Sequence, residues 1–403
     1  MSRRVLVLSP GLPWPTWGMG TRIYQLVRHL SSDHEVTVLT YDDLGEEAIV
    51  AHIRDFCHDV RLVPMLQEPS IARRARQVRW AASRTSFHER ELYSARMQTA
   101  IDSLLAEKPF DIIHLESSQM ACFRLRTDAP IVLDEHNIEY ELLSRLHRGE
   151  RSPLRRAQYR LEAHKVRHFE QSLWARLDGV AVTSEREEVI VRRHAPGTSI
   201  TTVPNGVDLE YFAPGEDEIK EGEIVFTGLM TYRPNLDGAR YLVDEVLPRI
   251  RDRHPGATIT IVGRVYDEDL DSLRRPGVTV TNWVDDVRPY VRRASVVVAP
   301  LRMGGGTRLK VVEGLAMAKP MVSTTIGCEG IDVRPGEHLL VADAPDDFAD
   351  AVVRVLRDPA LGRRLGVAGN RLARTHYSWE RAVDQLGELY DRLTPVHANR
   401  SGD

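Results

Sequence analysis

Short β-branched runs alternate with longer amphipathic segments along the whole chain, and this alternation restricts the fold more than any other feature of the sequence. Candidate strands are 5–9, 36–41, 60–63, 112–115, 131–135, 179–183 and 200–203, followed by a second series at 224–227, 258–262, 278–282, 296–299, 321–324 and 339–342. Runs of this kind separated by helical patterns mark parallel strands buried on both faces, with helices on either side of the sheet. Two series imply two doubly wound α/β domains. A length of 403 residues agrees, since one hydrophobic core seldom serves so long a chain. The break is expected within 208–222, where Tyr211-Phe212-Ala213-Pro214-Gly215 leads into the charged run 216–223.

In open sheets of this type ligands bind beyond the carboxyl ends of the strands. The richest such end is Arg302-Met303-Gly304-Gly305-Gly306-Thr307-Arg308-Leu309-Lys310-Val311-Val312-Glu313. An apolar strand pattern precedes it, and Leu309, Val312, Leu315 and Ala316 give the next segment an apolar helical face. Glycines at a helix start let phosphate oxygens approach free backbone N–H groups and the positive end of the helix dipole. Lys310 and Glu313, three apart, share a helix face. On its own a glycine cluster is equally a tight turn.

Other strand ends carry polar groups. The first runs into a loop with Gly18 and Gly20, and Arg22 in the following first turn; it does not match the dinucleotide fingerprint. The fifth ends in Asp134-Glu135-His136-Asn137, where His136 can donate to or accept from a substrate hydroxyl. His114 and Glu116 end the strand before it. Asn205-Gly206-Val207-Asp208 is either a turn or a segment facing a cleft. In the second half, Gly228 begins a polar loop with Arg233 and Asn235, and Trp283-Val284 follows another strand, as core or as the wall of a base pocket. Asp267-Glu268-Asp269 resembles a metal-binding pair of aspartates only in letters, because it opens a helix and compensates its dipole.

With 54 Lys and Arg against 58 Asp and Glu, a net charge of −4 argues against a nucleic-acid binder. Charge is unevenly spread. Seven arginines (73, 74, 76, 79, 84, 90 and 96) fall within 71–97, with Trp80 and Phe87 among them, and a second arginine-rich stretch covers 145–167. These are solvated helix faces or a surface for an anionic partner, such as a peripheral membrane contact. Cys57, Cys122 and Cys328 have no paired or metal-ligand spacing and read as reduced thiols of a cytoplasmic protein. The apolar run after Arg3-Arg4 is too short for a signal peptide, and a soluble chain is expected, at most peripheral at the inner face of a membrane.

Taken together, these stretches resemble the GT-B fold retaining glycosyltransferases of family 4, with Ala318-Lys319-Pro320-Met321-Val322-Ser323-Thr324 and Tyr377-Ser378-Trp379-Glu380 as further matches. The resemblance implies two Rossmann-like domains with an interdomain cleft: an acceptor-binding domain over 1–209, a nucleotide-sugar-binding domain over 210–376, and a helix over 377–395 returning to the first. It assigns Glu313 to the donor ribose, Lys310 and Arg308 to the diphosphate, and Thr307 with Gly304, Gly305 and Gly306 to the donor cradle. Trp283 and Val284 would flank the base, with Gly228, Arg233 and Asn235 also on the donor side. His136 would lie near the transferred sugar and acceptor, together with Gly18, Gly20, Arg22, Glu116, Asn137 and Asn205.

The implied partners are a nucleoside diphosphate sugar as co-substrate and a small-molecule, glycan or lipid-linked glycan acceptor, with no nucleic acid, cofactor or metal. The family often has two glutamates eight residues apart; here the second is Glu313 and the first position is Gly305. Arg233 and Asn235 stand where another basic phosphate ligand is common. Alternatives to transfer are a nucleotide-sugar epimerase or a non-catalytic nucleotide-sugar binder.

Overall fold

The computed structural model describes residues 2–15, 18–42, 45, 47–65, 83, 85–150 and 152–394. Of the arginine-rich segment, Arg73, Arg74, Arg76, Arg79, Trp80 and Arg84 lie outside the described residues. The chain forms two compact units: Met1–Pro204 with the residues from Ala382 onward, and Asn205–Arg381.

The first unit holds a parallel sheet of β1 (Arg4–Ser9), β2 (Glu35–Asp42), β3 (Asp59–Pro64), β4 (Ile112–Glu116), β5 (Ile131–Glu135), β6 (Gly179–Val182) and β7 (Ser199–Thr202). Their order is β3-β2-β1-β4-β5-β6-β7. β4, β5 and β6 are almost wholly buried, which is why each reads as a mainly apolar run, with the polar residues of β4 and β5 gathered towards the carboxyl ends. Leu6, Leu8, Leu39, Leu133 and Trp174 belong to its core. The helix Trp379–Leu393 places Ala382, Leu386, Leu389 and Tyr390 along one fully buried face, spaced at helical period. A Cβ on Gly179 would lie 2.8 Å from Leu393, so this helix packs directly on the start of β6.

The second unit repeats the plan with β8 (Lys220–Thr227), β9 (Thr258–Val262), β10 (Val278–Val280), β11 (Ala294–Ala299), β12 (Met321–Ser323) and β13 (Leu340–Val341). These strands lie in the order β10-β9-β8-β11-β12-β13, again parallel. Phe226, Ile259, Val298 and Phe348 fill part of its core. In each sheet the order of connection reverses once, between β1 and β4 in the first and between β8 and β11 in the second. Such a reversal sends neighbouring crossovers to opposite faces and leaves a crevice at the strands' carboxyl ends.

Candidate functional site

At the switch point of the second unit, β8 ends on Thr227 and the chain turns at Gly228 with φ +146°. A Cβ there would lie 2.5 Å from Nζ of Lys310 and 2.9 Å from Nδ2 of Asn235, so the turn has room only for glycine. Gly263, just beyond β9, supports it from behind: its Cβ would sit 2.0 Å from the Gly228 carbonyl oxygen. Lys310 lies at the start of the helix Leu309–Ala316 and donates to Oδ1 of Asn235 at 2.8 Å. Its ammonium stands 4.6 Å from the centre of the Phe226 ring.

Desolvation, with Arg308 acting in the same direction, pulls Lys310 down to about 7 against the attraction of Glu313. Desolvation likewise pushes Glu313 up to about 7, against Lys310. Both side chains keep part of their surface open. A cation and a carboxyl one helical turn apart, each short of a full counter-charge, are suited to an anionic ligand that also carries hydroxyls.

The glycine loop precedes the helix by more than the sequence pattern implies, because Thr307 and Arg308 lie between Gly306 and the first helical residue, Leu309. Gly304 and Gly306 have φ of +128° and +68°. Arg308 turns back under this loop, and its Nη1 donates to the carbonyls of Gly305 and Gly306. It is 8% exposed and braces the loop from below while contributing positive potential. Asn205, grouped by sequence with the acceptor residues, instead belongs to the second unit and donates from Nδ2 to the Thr307 carbonyl at 3.4 Å. Trp283 is 56% exposed, which removes it from the core, while Val284 packs against buried residues. Arg233 is exposed at the first residue of the helix Arg233–Tyr241. Arg302, also in the glycine-rich segment, is engaged by Asp237 and Glu245.

The first unit builds a second constellation beside its own switch point. His136 directly follows β5; its Nε2 lies 2.8 Å from Oε2 of Glu116 and 3.2 Å from Oδ2 of Asp134. From the helix Gly18–Asp33, Arg22 grips Asp134 through two bonds of 2.6 Å, one to each carboxylate oxygen. Burial works against charge on His136, but Asp134 and Glu116 outweigh it and lift the imidazole to about 9. His136 is therefore a cation at neutral pH. Its Nδ1 is buried without a hydrogen-bond partner among the described residues and is left as a donor.

Arg22 and Glu116 require correction as ligand contacts. Each is only 1% exposed, and their partners show them holding the histidine in place. His114 is fully buried, for the same reason. Asn137 is half-buried beside Glu139, Gly18 is exposed with open space around it, and Gly20 is buried. His114, Glu116 and Asp134 bring their ligand atoms within 4.8 Å of one another. Arg22 takes both oxygens of Asp134 and His136 takes one oxygen of Glu116, so these carboxylates are engaged in an ion-pair network. Asp134, Phe226 and Gly263 lie outside the sequence-based site, although the position of Asp134 at the end of β5 is a usable signal.

Two doubly wound units with their polar constellations at the switch points define the GT-B architecture. Residues 17–211 match the family described as Glycosyltransferase Family 4, and residues 221–358 match Glycosyl transferases group 1. The chain belongs to these glycosyltransferases. It is similar to the phosphatidyl-myo-inositol mannosyltransferase of Mycobacterium tuberculosis, 29% identical over 49% of this chain and 56% of that protein. The chain spans about half the length of the curated relatives it matches. Among solved structures it is similar in fold to sucrose-phosphate synthase from Thermosynechococcus elongatus, with a TM-score of 0.72, 20% identity and coverage of 97% and 99% of the two chains. A second is Anabaena Alr3699/HepE in complex with UDP and glucose, at a TM-score of 0.67 and 12% identity over 97% of this chain and 100% of the other.

Proposed function

We propose that the protein transfers a sugar from a nucleoside diphosphate sugar to an acceptor hydroxyl, with retention at the anomeric carbon. The observation that carries this reading is Lys310, held over Gly228 by Asn235 at the start of the helix that follows the glycine loop, with Glu313 one turn further on the same helix. Lys310 binds the diphosphate, and Glu313 accepts from the ribose hydroxyls. As the bond from the anomeric carbon to the diphosphate oxygen breaks, the diphosphate takes the electron pair. Lys310, the helix start and the loop held by Arg308 stabilise that growing charge more than they stabilise the bound donor. The acceptor oxygen bonds to the same carbon and releases its proton to the departing diphosphate. As a cation, His136 donates through Nδ1 to a sugar or acceptor oxygen and is not the base. Protein cations thus meet the charge of the leaving group at this site.

The acceptor is a small molecule, a glycan or a lipid-linked glycan. No helix among the described residues is long and apolar enough to cross a membrane. Exposed Leu154 and Leu161, with Arg155, Arg156 and Arg160, form the described surface best suited to an anionic bilayer. Thermal unfolding with a panel of nucleoside diphosphates and their sugars tests the donor site, since a ligand selective for the folded state raises the midpoint. The stabilising nucleotide sugar is then assayed with free sugars and with vesicle-borne lipid acceptors. Transfer with retained configuration, falling by roughly 100-fold or more in Lys310→Ala, is the expected result. Turnover of donor into an epimer without acceptor, or near-normal transfer by Lys310→Ala, overturns this reading.

A further inference from the structure

The carboxylate that holds His136 is itself held from behind. Tyr390, on the helix Trp379–Leu393, is fully buried, and its hydroxyl lies 2.8 Å from Nδ1 of His114. The two rings meet edge to face with centres 6.1 Å apart. On the far side of the same imidazole, Nε2 of His114 lies 3.2 Å from Oε1 of Glu116, within ion-pair reach but out of line for a hydrogen bond. The other Glu116 oxygen is the 2.8 Å partner of His136. A line of close contacts therefore runs from Tyr390 through His114 and Glu116 to His136, hydrogen-bonded at its two ends and electrostatic in the middle, with every member less than a tenth exposed.

The direction of the protons follows from the chemistry of the groups. Burial, with Glu116 and Asp134 acting in the same direction, raises the Tyr390 phenol well above its ordinary 10.0, so it keeps its proton and donates to Nδ1. A histidine that accepts at Nδ1 carries its proton on Nε2, here the nitrogen facing Glu116. Burial alone would push Glu116 up, but His114 and His136 outweigh it and hold the group below its ordinary 4.5. Without the phenol, His114 can place its proton on Nδ1 and turn a lone pair towards the carboxylate. Oε1 of Glu116 would then face a lone pair where it now faces an N–H, 3.2 Å away.

We propose that Tyr390 is a positioning residue for His136: by fixing the tautomer of His114 it keeps Glu116 an ionised partner, so that a side chain of the last helix sets the orientation and charge of the acceptor-side histidine. This rests on the role given to His136 above. The charged or titratable groups around His136 are Asp134 and Glu135 of its own strand, Glu116 and His114 of β4, Arg22 of the helix Gly18–Asp33, and Glu139 of the helix Glu139–Gly149. Glu135 and Glu139 also titrate near neutrality, at about 8 and about 7, so the decisive readout is the imidazole itself.

The test is Tyr390→Phe, which keeps the buried ring and removes the hydroxyl. His136 is followed by NMR as one of 15 histidine resonances, assigned by its loss in His136→Gln. Its titration midpoint is expected to fall by roughly one unit in Tyr390→Phe. The alkaline limb of kcat for transfer should move with it, while KM for the nucleotide sugar stays unchanged. His114→Gln provides the control, because its amide keeps an N–H towards Glu116 without help from Tyr390. Adding Tyr390→Phe to that background should change nothing.

An unmoved His136 titration in folded Tyr390→Phe overturns the proposal, as does an equal shift in both backgrounds. If Tyr390→Phe does not fold, His114→Gln alone decides. Its His136 should titrate as in the wild type and lose its response to 3-fluorotyrosine at position 390; a retained response rejects the link. Full activity in His136→Gln would instead refute the role of His136 in transfer, and the NMR measurement would still report on Tyr390.

Discussion

Gly228 shows what a single missing Cβ permits. The chain must pass between Lys310 and the Gly263 backbone at a φ of +146°, and the added methyl of alanine would fall 2.5 Å from the ammonium. Gly228→Ala is therefore expected to push Lys310 off Asn235 and to cost about 1.5–3 kcal/mol of diphosphate affinity, the range for a hydrogen bond to a charged group. Calorimetric titration with the stabilising nucleotide measures this. Unchanged affinity in a folded variant would show that Lys310 does not need its present position.

Glycines, Lys310, Glu313 and His136 are legible in sequence because strand-to-helix junctions attract such residue types. The direction of a side chain is another matter. Arg308 reads as a phosphate ligand by type, yet its guanidinium turns back to the Gly305 and Gly306 carbonyls. Arg22 reads as a first-turn cation beside a ligand loop and is spent on Asp134. Both depend on partners distant in sequence, which local pattern cannot supply.

At the scale of elements, the helix Glu139–Gly149 illustrates how an irregular junction is made stable. Ile138 precedes it and offers no side-chain cap. Glu170, from the helix Pro153–Trp174, instead accepts from the backbone N–H groups of Glu139 and Tyr140 at 2.9 and 3.1 Å. Glu170 is fully buried, and burial with Glu135 and Glu139 nearby raises it well above the ordinary carboxyl range. Glu170→Ala strands two amides and should lower stability by about 1–3 kcal/mol. Glu170→Gln, which keeps a carbonyl acceptor and the volume, should lose less; chemical denaturation of the two variants distinguishes them. Equal losses would mean that neither the retained carbonyl nor the volume matters, and that the cap needs both carboxylate oxygens. The central strands were legible as apolar runs, since burial on both faces leaves few polar positions, while the partly exposed strands β3, β7 and β10 were legible from short β-branched runs. A cap borrowed from another helix leaves no mark in the local sequence, so this junction was not.

For the whole molecule, the alternating pattern is enough to fix two parallel sheets, but not which residues complete each unit. The face formed by Ala382, Leu386, Leu389 and Tyr390 packs in the first unit, and Arg3 pairs with Asp391 there. Ending the chain at Arg381 should remove that cover while leaving the second unit's own residues intact. In calorimetry with the stabilising nucleotide, the nucleotide-sensitive transition should persist while the other moves down or disappears. A truncated chain with both transitions unchanged would contradict the packing. During synthesis this arrangement imposes an order of its own. The first sheet leaves the ribosome early with β6 uncovered, and must wait until residues beyond Ala382 emerge, after all of the second unit has been made. The unit begun first is thus the one finished last, and its exposed apolar surface is what chaperones would meet in the interval.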